Sequence, residues 1–146
     1  MENLDELLKL ENQICFPLYA ASKEVIRRYK PFLDELDLTY TQYIVLLALW
    51  EHDDILVKDL GDQLYLDSGT LTPLLNKLQK KNYIKKTKGK IDQREIFVSL
   101  TKKGWDLKQR AYEIPMKLGK CVKIDEEDVL RLKRILSHIL EGFENE

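Results

Sequence analysis

At 146 residues the chain is long enough for one domain, or for one domain carrying dimerisation arms. Its 44% hydrophobic share is ordinary for a globular protein and its 34% charged share suits long exposed helices, while the longest apolar run, Ile44 to Trp50, is far too short to cross a bilayer. The net charge of −1 conceals an asymmetry: residues 77–94, KLQKKNYIKKTKGKIDQR, carry eight Lys/Arg against one Asp, a local +7 that leaves −8 on the remainder.

The opening MENLDELLKL is acidic and amphipathic, unlike a secretory signal, so a cytoplasmic location without membrane association is expected. Residues 5–31 place Leu7, Leu8, Ile14, Cys15, Leu18, Tyr19, Val25, Ile26 and Tyr29 at helical spacing. Pro31 is expected to close this helix, because a proline disfavours helix in the residue before it. Pro17 removes a backbone donor and crowds the Gln13 carbonyl, so either the helix kinks near Cys15 or a second helix begins at Pro17. Residues 34–38 read as a short turn or helix.

Thr39 is a good N-cap for YTQYIVLLALWEH, residues 40–52, with Gln42 as its capping-box partner. This helix is apolar nearly all round and should be central. VKDLGDQLYL, residues 57–66, is a short helix with Val57, Leu60 and Leu64 on one face. DSGTLTPLLNKLQKK, residues 67–81, follows almost without a linker, capped by Asp67 or Ser68, with Leu71, Leu74, Leu75 and Leu78 as its buried stripe. Ile96, Val98 and Leu100 alternate with Phe97 and Ser99, and pair with YIKKTK as two strands around a glycine-containing turn. Thr101 caps a helix running to Cys121 with an expected bend at Pro115, and a last helix spans about Asp125 to Phe143.

Helix, tight turn, helix and basic hairpin is the order of a winged helix-turn-helix, in which the second helix enters the DNA major groove. The fold class is therefore mainly α with a small β-hairpin wing. Opposite its leucine stripe the second helix offers Ser68, Thr70, Thr72, Asn76 and Lys77. These are small hydroxyls that approach phosphates and bases, an amide that reads adenine, and a cation for guanine or phosphate. The helix N-terminus adds free amides. The basic block falls late in this helix and in the hairpin, where Lys88, Lys90 and Arg94 stand near the tip. An arginine there would reach a narrow minor groove. Asp92 is expected to orient Arg94 rather than to meet DNA.

Two cysteines are too few for a disulfide scaffold, and with His52 and His138 they show no metal-ligand spacing, so neither a metal nor a cofactor is expected. Cys15 is followed by Tyr19, Tyr29 and Tyr40, phenols able to hydrogen-bond a thiolate. Phenol donors favour the anion, which is the nucleophile. Phe16, Leu18 and Ile14 would favour an organic peroxide over hydrogen peroxide, and attack on its O–O bond yields a sulfenic acid. Cys15 and Tyr29 are 14 residues apart, which on a continuous helix puts them on one face but roughly 21 Å apart. An antiparallel helix from a second chain could bring its Tyr29 beside Cys15, with Tyr40 in the same cluster.

LYLDSGTLTPLLNKL, followed by DQRE and VSLTKKG, resembles the MarR family of winged-helix repressors. More narrowly, LENQICFPLYAASKEV, YKPFLDELDLTYTQY and LLALWEHDD resemble its organic hydroperoxide-resistance regulators, over about Leu10 to Thr101. The resemblance implies a single MarR-like domain over residues 1–146. Dimerisation helices would lie at about 1–36 and 102–146, and the winged helix-turn-helix at about 37–101. It implies a homodimer whose first and last helices interlock, a near-palindromic double-stranded operator, and an organic hydroperoxide as inducer. Cys15, Tyr29 and Tyr40 fall on the positions of the sensing cysteine and of the two tyrosines that hold it from the opposite subunit. Cys121 lies about where one class of the family carries a second cysteine that forms an intersubunit disulfide; another class caps its sulfenate with a small thiol. Pro17 departs from the family pattern beside the cysteine.

Two other readings stay open on the sequence. A repressor could instead be induced by a non-covalent phenolic or lipophilic ligand, with silent cysteines. A thiol peroxidase would use Cys15 in turnover, but the basic wing argues against an enzyme.

Overall fold

A computed structural model describes residues 3–145; Met1, Glu2 and Glu146, at the ends of the expected dimerisation segments, lie outside it. The element order is α1 (Leu4–Leu7), a 3-10 turn (Leu10–Asn12), α2 (Cys15–Asp34), α3 (Tyr40–Glu51), β1 (Ile55–Leu56), α4 (Val57–Leu64), α5 (Ser68–Lys80), β2 (Ile84–Lys88), β3 (Ile96–Leu100), α6 (Lys102–Ala111), α7 (Glu113–Cys121) and α8 (Glu126–Glu144). The chain is thus mainly helical with a small antiparallel sheet of order β1-β3-β2. Ile84 pairs with Leu100 and Lys88 with Ile96 across the hairpin. β1 is a strand the sequence does not announce: Ile55 and Leu56, opposite Val98 and Phe97, are too few to show an alternation.

α3 forms as its sequence requires. The Thr39 side chain accepts from the Gln42 amide, and the Gln42 side chain accepts from the Thr39 amide. Its residues Tyr43, Val45, Leu46, Ala48, Leu49 and Trp50 are buried at the middle of the core. Leu71, Leu74, Leu75 and Leu78 of α5, Val98 and Leu100 of β3, and Leu107 and Ala111 of α6 close around them. The Trp50 indole N–H donates to the Gly104 carbonyl at 3.0 Å. Gly104 itself is required by close approach, because a Cβ there would overlap the Tyr83 carbonyl.

Three prolines show how position decides their effect. Pro17 is the third residue of α2, where a missing N–H costs nothing, and the break falls ahead of it at the extended Gln13. Of the two alternatives posed by the sequence, the separate helix is the one observed, beginning at Cys15. Pro115 is likewise third in α7; the helix is interrupted at Tyr112, which keeps helical φ and ψ, because the ring leaves the Ala111 carbonyl without its helical donor. Pro31 does not close its helix. α2 continues to Asp34 because Leu33, only 2% exposed, is anchored in the core, with Tyr29 and Phe32 packed against it. The helix ends instead in a turn at Asp37, whose φ is 54°.

The two ends of the chain are built differently. No residue of α1 or α8 is buried, and Leu33 is the sole buried residue of α2. Among the described residues no helix is long and apolar enough to cross a membrane.

Candidate nucleic-acid interface and cysteine site

α4 ends at Tyr65 in the left-handed conformation, and Asp67 starts α5 two residues on, its carboxylate accepting from the Thr70 amide at 2.8 Å. Because the four leucines of α5 are buried, Ser68, Thr70, Thr72, Asn76 and Lys77 are turned outward and exposed. Pro73 lies inside α5 without breaking it.

The hairpin stands beside this face. Lys86 of β2 donates to the Asn76 side-chain oxygen at 2.6 Å, tying wing to helix and leaving the amide hydrogens of Asn76 free. Lys88, Lys90 and Arg94 are exposed toward the tip. The Asp92 carboxylate accepts from the Arg94 amide at 3.0 Å and from Nε at 3.3 Å. Arg94 is fixed at its root while its side chain remains 93% exposed. Hydroxyls, an amide and cations thus form one continuous polar surface, suited to phosphates and base edges.

Cys15, the first residue of α2, is a free and exposed thiol. One turn away, Tyr19 is 62% exposed and lies beneath the Lys23 ammonium, 5.4 Å from the ring centroid. Fourteen residues on, Tyr29 meets Tyr40 with ring centroids 5.0 Å apart, and Tyr43 joins them at 5.8 and 6.4 Å. The structure therefore gathers Tyr29 and Tyr40 but leaves Tyr19 outside. It adds Tyr43, whose only sequence signal is its three-residue spacing from Tyr40. Burial, with smaller contributions from Tyr40 and Tyr43, pushes the Tyr29 phenol up to about 12. Burial also raises Tyr40 and Tyr43. All three are proton-bearing donors at neutral pH.

Because α2 is continuous from Cys15 to Tyr29, the tyrosine cluster is roughly 21 Å along the axis from the thiol of the same chain. Cys121 is also free and exposed; its thiol donates to the Lys117 carbonyl at 3.6 Å. It borders a cleft with Arg27, Arg28, Pro31 and Phe32, so it stands at the tyrosine end of α2. Those neighbours start about 18 Å along the helix from Cys15. A disulfide needs Cα atoms within about 7 Å, so the two thiols of one chain do not meet in this conformation. Among the described residues no group of three His, Cys, Asp or Glu could hold a metal ion.

Known proteins share this fold. Residues 27–111 match the family model of the SarA/Rot transcriptional regulators. The organic hydroperoxide resistance transcriptional regulator of Bacillus subtilis (strain 168) is 47% identical over 141 residues, covering 97% of this chain and 96% of that protein. Reduced AbfR bound to DNA superposes with a TM-score of 0.82 at 28% identity, covering 99% of this chain and 98% of that one. Disulfide-formed AbfR superposes with a TM-score of 0.62 at 27% identity, covering 99% and 97%. The relatives are regulators rather than enzymes, and a 47% match along nearly the whole length, on a winged helix-turn-helix, places this chain in the MarR family of transcriptional regulators, among its organic hydroperoxide-resistance members.

Proposed function

We propose that the chain is a homodimeric, DNA-binding repressor that leaves its operator when an organic hydroperoxide oxidises Cys15. One observation carries the reading: the thiol stands at one end of α2, and Tyr29, Tyr40 and Cys121 stand at the other. An antiparallel partner helix brings all three groups to Cys15 at once, and no arrangement within one chain does. The exposed apolar residues Leu7, Ile14, Leu130, Ile135, Ile139 and Phe143 of the terminal segments supply the surface for such a partner. A 19-residue helix with no buried residue, α8, needs one to stay folded.

The chemistry follows from the groups present. The phenols of the partner donate to the Cys15 thiolate. The thiolate attacks the peroxide; an S–O bond forms, the O–O bond breaks, and the alcohol departs after taking a proton. Cysteine is thereby oxidised to sulfenic acid and the hydroperoxide reduced. The partner's Cys121 thiol then displaces water from the sulfenic acid, forming the disulfide. In the regulator's DNA-bound state, two outward faces of α5 and two wings read adjacent turns of a near-palindromic duplex, about 34–36 Å apart. Ser68, Thr70, Thr72, Asn76 and Lys77 serve the major groove, while Lys88, Lys90 and Asp92-oriented Arg94 serve backbone and minor groove. Drawing Cys121 toward the opposite Cys15 shifts α7 and spoils that spacing. AbfR, a structural neighbour, occurs in a reduced DNA-bound form and in a disulfide form, which supports two such conformations.

The test is operator release by cumene hydroperoxide, restored by dithiothreitol. A non-reducing gel should show a covalent dimer, absent in Cys121→Ser. Release without a covalent dimer would replace Cys121 by a small thiol. A second reading is favoured by the groove of Tyr43, Leu47, Trp50, Tyr112 and Pro115, edged by Glu51 and Lys108, between α3 and the α6–α7 corner. A non-covalent phenolic or lipophilic ligand seated there would cause release that dithiothreitol does not reverse.

A further inference from the structure

Ile91 projects from the tip of the wing with 104% of its reference exposure, the highest among the described large apolar residues. Single exposed apolar side chains are ordinary on protein surfaces; the setting of this one is not. The tip is a closed turn: the Gly89 amide donates to the Glu95 carbonyl at 2.8 Å, and the Glu95 amide to the Asp92 carbonyl at 3.1 Å. Gly89 is buried beneath it, where a Cβ would collide with the Asp92 carbonyl. Asp92 holds Arg94 in place from the other side. Ile91 is therefore held outward on a braced turn, and its β-branched side chain is itself stiff. Its neighbours along the hairpin, Lys88, Lys90 and Arg94, are exposed cations.

An apolar point on a braced turn, with cations before and after it in the chain, fits one surface well. The DNA minor groove draws cations by its negative potential, and its walls and base-step edges accept apolar side chains that wedge between bases. Resting on the DNA-binding reading above, we propose that Ile91 enters the minor groove beside Arg94 and partly unstacks one base step. Contact of this kind releases no counterions, so it adds a share of affinity that salt does not screen. It also favours easily opened pyrimidine–purine steps under each wing, a preference that hydrogen bonds from lysine and arginine do not supply.

The test begins by enriching duplexes from a randomised pool with the wild-type protein. 2-Aminopurine is then placed at successive steps of the enriched duplex. Wild type should raise its fluorescence at one step under each wing. Ile91→Ala should lose that rise and bind about five- to tenfold more weakly, with the slope of log affinity against log salt unchanged. Ile91→Leu should keep both. Since Ile91 packs against nothing in its own chain, these variants fold as wild type does. Unchanged affinity in Ile91→Ala, or no fluorescence rise at any step with wild type, overturns the wedge. Failure to enrich any duplex overturns the DNA-binding reading itself.

Discussion

The winged head and the terminal helices bury their side chains in opposite ways. Val45, Leu46, Leu49, Leu60, Leu78 and Val98 are fully enclosed within one chain. α1 and α8 enclose nothing, and their leucines, isoleucines and Phe143 face outward. The head therefore owes its shape to its own core. In the proposed dimer the ends are half of a structure, and Cys15 sits on that half. On that reading, recognition belongs to each subunit, whereas chemistry belongs to the pair.

The sharpest way to break this division is Cys15→Ser. The hydroxyl is close in size but lacks the thiolate's nucleophilicity. Operator binding should persist and hydroperoxide release should vanish in a fluorescence-anisotropy titration; normal release would move the sensor elsewhere. Next in size, Leu75→Ala in the core should destabilise the head by about 2–5 kcal/mol in urea unfolding. Ile139→Ala should act differently, making the melting temperature more dependent on protein concentration, as loss of subunit contact does. If Ile139→Ala lowers stability equally at all concentrations, α8 is not an interface.

On the head alone, Arg94→Ala should weaken operator binding by about 1–3 kcal/mol and leave hydroperoxide reactivity intact. Unchanged affinity would remove the wing from recognition. The smallest effect concerns the tyrosines. Tyr29 is pushed from 10.0 up to about 12 in the folded chain. Folding keeps a proton there that the unfolded chain releases near pH 10, so this contribution is full below pH 10 and fades as pH rises toward 12. Tyr29→Phe should flatten the loss of thermal stability between those values while slowing Cys15 oxidation at neutral pH. An unaltered alkaline profile would mean the ring cluster opens before it titrates.

Much of the head was legible because its signals are local. The Thr39–Gln42 capping box, the leucine spacing of α5 and the alternation of Ile96, Val98 and Leu100 each arise within a few residues. What escaped depends on distant partners. Pro31 reads as a stop, yet burial of Leu33 carries the helix past it. β1 exists only because Val98 and Phe97 lie beside Ile55 and Leu56. At the cysteine site, helical rise alone separates Cys15 from Tyr29. Tyr43 enters only through the crossing of α2 and α3, and Lys86 meets Asn76 only once the hairpin folds back on α5.

The Trp50–Gly104 hydrogen bond has a mechanical consequence. It bolts the start of α6 to the centre of the head, so the first ten-residue stretch after the wing turns with the reading surface as one piece. The next stretch begins at Tyr112, where Pro115 has already removed a rung of the helix ladder. In the proposed mechanism that joint lies between this handle and the Cys121 end of α7. A pull on Cys121 would have to pass Ile114, buried in the core just beyond Tyr112, before it reached the handle. The proposed disulfide would therefore act on the duplex through one proline-weakened corner.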